Sequence, residues 1–334
     1  MTKFRQMEMS ELCERLCENK KTLIVYHVRS DADAVGSAFA LRELFRVMGI
    51  PAICACADEV PERLHFLCDG VQGSVVIDGD MGMDHDRVIS VDSASPSQLG
   101  ALYEILHKYV DIMIDHHANG TVYADNYIDA QASATGEIIY EIAKRLVDMG
   151  KISAIPPRAI NCIYAAICSD TGCFRYANTT PRTFRIAAEL LEAGAEQSEI
   201  NRILFESKTY KQVKAEGEAA KRLNIYNGGK IASVTFPYSS KFALGLSDEN
   251  LETVIEIPRS IGGVSVAYSV RQPEDKPYFR VSMRSRGEVD VAKICARFGG
   301  GGHVRAAGCS LEAPNVLEAD AIILSAIREE MGME

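Results

Sequence analysis

Asp115-His116-His117 sets a carboxylate and two imidazoles side by side in a chain of 334 residues. The apolar run Tyr109-Val-Asp-Ile-Met-Ile114 leads into it and has the length and composition of a β-strand. Polar groups of this kind are costly to bury unless they are paired or hold a metal. Three further clusters stand at the ends of other predicted elements: His27-x-x-x-Asp31-x-Asp33, Asp92 and Asp170. Ligands of open α/β sheets gather at the carboxyl ends of strands. The four clusters together read as one dinuclear metal site.

In the first cluster, the two-residue spacing lets Asp31 and Asp33 diverge from one turn towards two ions, and His27 lies at the preceding strand's end. Imidazole nitrogen with carboxylate oxygen, and no thiolate, favours Mn²⁺ or Mg²⁺ over a structural zinc, and imidazole tilts the choice to Mn²⁺. The plainer alternative is a polar turn with Asp33 capping the next helix. Asp92 or Asp170 alone would carry little weight, because aspartates are common where an element meets a loop. Adjacent histidines beside an aspartate are rarely core filler, and four clusters at successive element ends are hard to ascribe to coincidence.

The elements that must position these residues alternate. Thr22–His27 reads as a buried strand and Ala34–Met48 as a helix with Gly49 at its stop. Strands are expected at 52–56, 74–78 and 88–91, a helix at Gln98–Lys108, and then the strand into Asp115. Ser133 or Thr135 is a candidate cap for a helix over Glu137–Met149. Pro156-Pro157 opens another helix that ends at Cys168-Ser-Asp-Thr-Gly172, and Thr180-Pro181 opens a third that stops at Gly194. This alternation indicates an α/β fold with a doubly wound, mostly parallel sheet over residues 1–194. Residues 195–225 read as a helical linker. Residues 226–334 carry alternating strands near 230–236, 263–270 and 278–284, a helix near 289–298 and a last helix near 315–330. They form a smaller α+β domain with a mixed sheet.

The bulk properties narrow the class. Apolar residues make up 47% and charged ones 25%, as in an ordinary globular protein. No apolar run approaches the roughly 20 residues that span a bilayer, and the N-terminus lacks the apolar centre of a signal peptide. The cytoplasm is therefore expected, with no membrane partner. Ten cysteines show no C-x-x-C pair and read as buried free thiols, with Cys54 and Cys56 on opposite faces of a strand. A net charge of −10 argues against long nucleic acid. Arg271 to Arg305 nonetheless holds eight Lys/Arg against four acids, which suits a small anion or, more plainly, a solvated face.

These motifs resemble the D-H-H phosphoesterase superfamily over almost the whole chain. The resemblance rests on His27-Val-Arg-Ser-Asp31-Ala-Asp33-Ala-Val-Gly-Ser37, Val91-Asp92, Asp115-His116-His117, Ser169-Asp170-Thr-Gly172-x-Phe174 and Gly299-Gly-Gly-Gly-His303-x-x-Ala-Ala-Gly308. The last marks the associated Gly-Gly-Gly-His (DHHA1) domain. Within the superfamily the chain is similar to the small nanoRNases, oligoribonucleases that also dephosphorylate 3′-phosphoadenosine 5′-phosphate (pAp). One departure is Ser30-Asp31-Ala32-Asp33, where the family usually has Pro-Asp-Gly-Asp. It keeps the ligand positions and alters only the loop around them.

The resemblance implies that His27 and Asp31 bind one ion, that Asp33, His116 and Asp170 bind the other, and that Asp92 bridges them. Asp115 orients a histidine and His117 faces the substrate phosphate, the two forming the catalytic pair. Two ions about 3.5–4 Å apart can share a hydroxide and stabilise both oxygens of an in-line displacement at phosphorus. Arg284, Ser285, Gly300, Gly301, Gly302 and His303 would clamp the terminal phosphate, the glycines by letting backbone N–H groups approach it. Active site and clamp on separate domains would limit substrate length, with 195–225 as a hinge. Short RNA or a small nucleotide is the implied partner, and a homodimer the implied assembly. Three relatives with the same metal motifs compete: a cyclic or linear di-AMP phosphodiesterase, a RecJ-type single-strand DNA exonuclease and a family pyrophosphatase. The chain is short for the second, and the glycine-histidine motif argues against the third. A non-catalytic nucleotide-binding module predicts a missing ligand, and none is missing.

Overall fold

The computed structural model describes residues 4–68, 85–106 and 109–333, and divides the chain into two compact units, Met1–Ser207 and Lys208–Glu334. The strand expected at 74–78 and the last two residues of the helix expected to end at Lys108 lie outside the described residues. Among the described residues no helix is long and apolar enough to cross a membrane.

The described residues of the first unit form five strands: β1 (Thr22–Val25), β2 (Ala52–Ala55), β3 (Arg87–Val91), β4 (Val110–Asp115) and β5 (Asp125–Ile128). They pair in the order β2-β1-β3-β4-β5, and every pair is parallel. β1 and β3 are buried along their whole length, as the apolar runs require when both faces are covered. Seven helices accompany them: α1 (Met9–Leu16), α2 (Ala32–Val47), α3 (Ala101–Leu106), α4 (Thr135–Asp148), α5 (Pro157–Asp170), α6 (Pro181–Glu192) and α7 (Gln197–Asn201). The chain winds outwards from β1 in one direction to β2 and in the other to β3. The carboxyl ends of β1 and β3 therefore flank the point where strand order reverses, the usual place for a ligand in such sheets.

Small residues let three helices converge beneath that point. A Cβ on Gly36 of α2 would stand 2.5 Å from the Cys162 carbonyl oxygen of α5. A Cβ on Gly136 of α4 would stand 2.6 Å from the Ala166 Cβ. Ala166 lies one turn before Asp170, and Gly36 one turn after Asp33. The same close packing thus brings Asp33, Asp170 and the start of α4 to one place.

Several details differ from the sequence reading. The helix expected over Gln98–Lys108 is a 3₁₀ turn, Pro96–Leu99, followed by α3. Gly100 separates them at φ 58°, where a Cβ would meet Val28 Cγ1 at 2.5 Å. Cys54 and Cys56 pack into the same core and not on opposite faces, because side chains two positions apart on an extended strand point the same way. All ten cysteines are free. Neither Ser133 nor Thr135 caps α4; its N-cap is Ala134 and makes no side-chain bond.

In the second unit α8 (Tyr210–Lys221), β6 (Leu223–Tyr226), β7 (Ile231–Phe236), α9 (Tyr238–Ala243), α10 (Glu256–Arg259), β8 (Val266–Arg271), β9 (Tyr278–Ser285), α11 (Val291–Ala296), β10 (Gly301–His303), β11 (Ala306–Glu312) and α12 (Val316–Glu330) follow in order. The sheet runs β10-β11-β9-β8-β7-β6, with β7–β8 parallel and the other pairs antiparallel. One face packs Val281, Met283 and Tyr268 with Ile294, Ile323 and Ile327 of α11 and α12. The stretch read as a helical linker is divided between the units. α7 and a π-turn over Arg202–Glu206 belong to the first, and α8 and the strand β6 to the second.

Candidate metal centre

The carboxylates and imidazoles named above enter the site from β1, α2, β3, β4 and α5 or from the turns directly after those strands. His27 follows β1, and its Nδ1 meets the Val28 carbonyl at 2.9 Å, which directs Nε2 the other way. Asp31 is the N-cap of α2: its Oδ1 accepts the N–H groups of Asp33 (3.0 Å) and Ala34 (3.1 Å). The cap is thus Asp31 and not Asp33, which frees Asp33 to turn inwards from the first helical turn. Ala32 already lies within the helix, so a glycine there is not required. The left-handed residue of this loop is Arg29, at φ 54°.

Asp92 follows β3 and is itself left-handed at φ 53°, a conformation aspartate tolerates better than most residues. Its N–H donates to the Ile114 carbonyl at 3.0 Å. Tyr123 secures the next residue, donating its hydroxyl to the Ser93 carbonyl at 3.1 Å. Asp115 ends β4, and its Oδ1 accepts the N–H groups of His116 (2.7 Å) and His117 (3.2 Å) and Nδ1–H of His117 (2.6 Å). Asp170 is the last residue of α5, so it arrives from a helix rather than from a strand end. Asn178 ties its carbonyl to that of Ser133, donating to both at 3.0 Å.

Among the described residues of the first unit, three groups of potential ligand atoms each lie within 4.8 Å: His27, Asp31 and Asp92; Asp33, His116 and Asp170; and Asp92, Asp115 and His117. In the first, His27 Nε2 is 3.8 Å from Asp31 Oδ1 and 3.5 Å from Asp92 Oδ2. In the second, His116 Nε2 is 3.3 Å from Asp170 Oδ2 and 3.8 Å from Asp33 Oδ2. Asp92 reaches both: Oδ2 faces His27, while Oδ1 lies 3.7 Å from His116 Nε2. Asp115 and His117 stand beside Asp92, with His117 Nδ1 3.8 Å from Oδ1.

Electrostatics follow from this crowding. Burial, with the negative charges of Asp92 and Asp170, raises Asp33 well above the usual carboxylate range. Burial lifts Asp170 to about 6 against the pull of His116. Burial would also raise Asp92, but His27, His117 and His116 together hold it low. Burial would lower His27 and His116; the carboxylates beside them win and raise both well above an ordinary imidazole. A crowded, partly buried set of four carboxylates and two imidazoles is stable when cations share it. Nitrogen and oxygen donors without thiolate fit a borderline-hard divalent ion, so the residues present fit two such ions.

The residues expected to clamp phosphate lie in the second unit. In the strand register His303 pairs with Ala306 and Ala306 with Arg284, which aligns Arg284 and His303 on one face across a small residue. Ser285 is placed differently. It is buried, and its hydroxyl donates to the Val289 carbonyl at 2.7 Å, closing the turn after β9. Gly300 and Gly302 have packing reasons of their own: a Cβ on either would stand 2.2 Å from the Gly308 oxygen or 2.5 Å from the Ala306 oxygen, respectively. Only Gly301 of the three has open space around it. Thr135, Gly136, Tyr123 and Asn178 were missed as site residues. Their signal was weak, since each acts through a hydroxyl, amide or backbone group that many loops carry.

A doubly wound α/β unit that gathers acidic and imidazole ligands at its switch point has the architecture of a metal-dependent hydrolase. The model of the DHH family, N-terminal domain, matches residues 21–167, and that of the DHHA1 domain matches 231–330. The bifunctional oligoribonuclease and PAP phosphatase NrnA of Thermus thermophilus is 29% identical over 92% of this chain and 89% of its own length. The probable bifunctional oligoribonuclease and PAP phosphatase NrnA of Streptococcus mutans is 30% identical over 86% of this chain and 89% of its own. An exopolyphosphatase-related protein of Bacteroides fragilis shares the fold, with a TM-score of 0.87 and 22% identity over 98% of each chain. The chain belongs to the DHH family of phosphoester hydrolases, with a DHHA1 domain as its second unit.

Proposed function

We propose that this enzyme uses two Mn²⁺ ions to hydrolyse short oligoribonucleotides to nucleoside monophosphates and to dephosphorylate pAp. The observation that carries the reading is the position of Asp92, with one oxygen facing each ligand group. His27 and Asp31 would hold one ion, Asp33, His116 and Asp170 the other, and Asp92 both. Mg²⁺ is the alternative ion, although two imidazoles favour Mn²⁺. When bound, two ions supply a water of lowered pKa and charge stabilisation for the attacking and leaving oxygens.

The chain's own groups do the rest. Asp115 accepts Nδ1–H of His117 and so leaves Nε2 to meet a substrate phosphate. Burial would lower His117, but Asp115 and Asp92 raise it, so the ring is held ready to donate a proton or hydrogen bond to phosphate oxygen. Arg284, His303 and the amides of Gly300, Gly301 and Gly302 would receive a further phosphate. The full-length similarity to relatives named for oligoribonuclease and pAp phosphatase activity favours short nucleotides over long strands. The negative overall charge points the same way. The cytoplasm is the compartment this substrate class implies, and a homodimer is the assembly to look for by light scattering.

A side-by-side assay with Mn²⁺ on pAp, linear pApA, a five-residue RNA and cyclic di-AMP tests the reading. Turnover of pAp, pApA and the short RNA, with little on the cyclic compound, is expected. Faster opening of cyclic di-AMP would overturn the substrate assignment in favour of a second-messenger phosphodiesterase.

A further inference from the structure

A bridging carboxylate must offer one oxygen to each ion, and a free aspartate rotor has no reason to keep that orientation. Asp92 accepts a hydrogen bond from a residue outside both ligand groups. Thr135, at the first position of α4, donates its hydroxyl to Asp92 Oδ1 at 2.9 Å. Its N–H donates to Asp33 Oδ2 at 2.8 Å, and the Gly136 N–H donates to Asp33 Oδ1 at 2.9 Å. Thr135 and Gly136 thus touch the central carboxylate and a neighbouring one from a single helical turn.

The helix does not need this hydroxyl, since its N-cap is Ala134. Thr135 is completely buried, so water does not compete for the bond. A β-branched side chain is also stiff about χ1 and holds a direction well. The segment before it is braced. Ser133 donates to Glu137 Oε1 at 2.6 Å, Arg182 Nε lies 3.3 Å from Glu137 Oε2, and Asn178 donates to the Ser133 carbonyl. With one lone pair of Oδ1 engaged by Thr135, that oxygen would have its other lone pair to offer an ion held with His116, and Oδ2 would serve an ion held with His27. Chelation of a single ion by both oxygens is disfavoured.

We infer that Thr135 is a positioning residue that fixes Asp92 as a bridge, so that the two ion sites load as a coupled pair. The inference rests on the two-ion reading above. Its test is Mn²⁺ titration of the full chain by calorimetry, with electron paramagnetic resonance of the loaded protein reporting spin coupling between ions. Thr135→Val keeps the branch and the amide and removes the hydroxyl, whereas Thr135→Ser keeps the hydroxyl. Wild type and T135S are expected to bind two ions with a coupled signal. T135V is expected to bind the second ion about 10- to 100-fold more weakly, as loss of a ligand's hydrogen-bond partner does elsewhere, and to show a diminished coupled signal. T135V that loads both ions with wild-type affinity and coupling overturns the inference. Should valine disturb the fold, judged by circular dichroism, T135A is read in the same way. Wild type that binds fewer than two ions would instead overturn the two-ion reading.

Discussion

Asp115 accepts three hydrogen bonds at one oxygen, two of them from His117. Its Oδ1 accepts the ring Nδ1–H at 2.6 Å, the His117 N–H at 3.2 Å and the N–H of the intervening residue at 2.7 Å. The aspartate of the D-H-H motif therefore shapes the turn and fixes the ring together. Asp115→Asn keeps an acceptor for the turn but loses the charge facing the ring. Its kcat/KM is expected to fall about 10- to 100-fold with both ions still bound. The sign for His117 is definite: Asp115 raises its pKa, so D115N lowers it. Titration of the His117 ring signals by nuclear magnetic resonance checks the shift, and an unchanged pKa would break the assigned contact.

Asp92→Ala removes the carboxylate common to both ligand groups while leaving the β3–β4 backbone pairing in place. Loss of transition-state charge stabilisation worth several kcal/mol corresponds to at least about 10³-fold in turnover. Circular dichroism should stay native. Substantial residual turnover would remove Asp92 from the role of bridge.

Ion binding should release protons. Without ions, Asp33 and Asp170 are raised and the two imidazoles are raised, so all four hold protons to higher pH than isolated groups would. Mn²⁺ needs them deprotonated. Its affinity is therefore expected to increase with pH, to weaken first as pH falls through the raised range of the two imidazoles, and to weaken further through about 6, where Asp170 gains its proton. Calorimetry in two buffers of different ionisation enthalpy measures the release directly. Equal heats in both buffers would contradict the ligand set.

The glycines of the second unit separate packing from function. Gly300→Ala drives a Cβ to 2.2 Å from the Gly308 oxygen, an overpacking that costs about 1–3 kcal/mol. A lower Tm is expected. Gly301→Ala meets nothing within 4 Å and should leave stability within about 0.5 kcal/mol. A raised KM in G301A at unchanged Tm would place substrate against that glycine. An unchanged KM would leave Gly301 without a substrate role and the motif with only the packing roles of Gly300 and Gly302.

The ligand types were legible because chemistry demands them: carboxylates and imidazoles clustered at element ends are seldom there for packing alone. The alternation of apolar runs pointed to the parallel sheet, since β1 and β3 are buried on both faces. Less legible was which aspartate caps α2. Asp31 and Asp33 are equally suited by type, and only the extended backbone at Asp31 decides it. Thr135 read as a helix cap because threonine favours caps. Its hydroxyl instead finds Asp92, a partner 43 positions away in the chain. The role of Ser285 was hidden differently: a serine beside an arginine suggests anion binding, and it is the local turn after β9 that brings the Val289 carbonyl, four residues on, to the hydroxyl. Long-range partners of small polar side chains leave no periodic trace in sequence.

Anomalous diffraction from crystals grown with Mn²⁺ would show whether two ions flank Asp92. Two peaks are predicted, one bounded by His27, Asp31 and Asp92 and the other by Asp33, His116, Asp170 and Asp92. A single peak, or peaks that Asp92 does not join, would contradict the bridged pair.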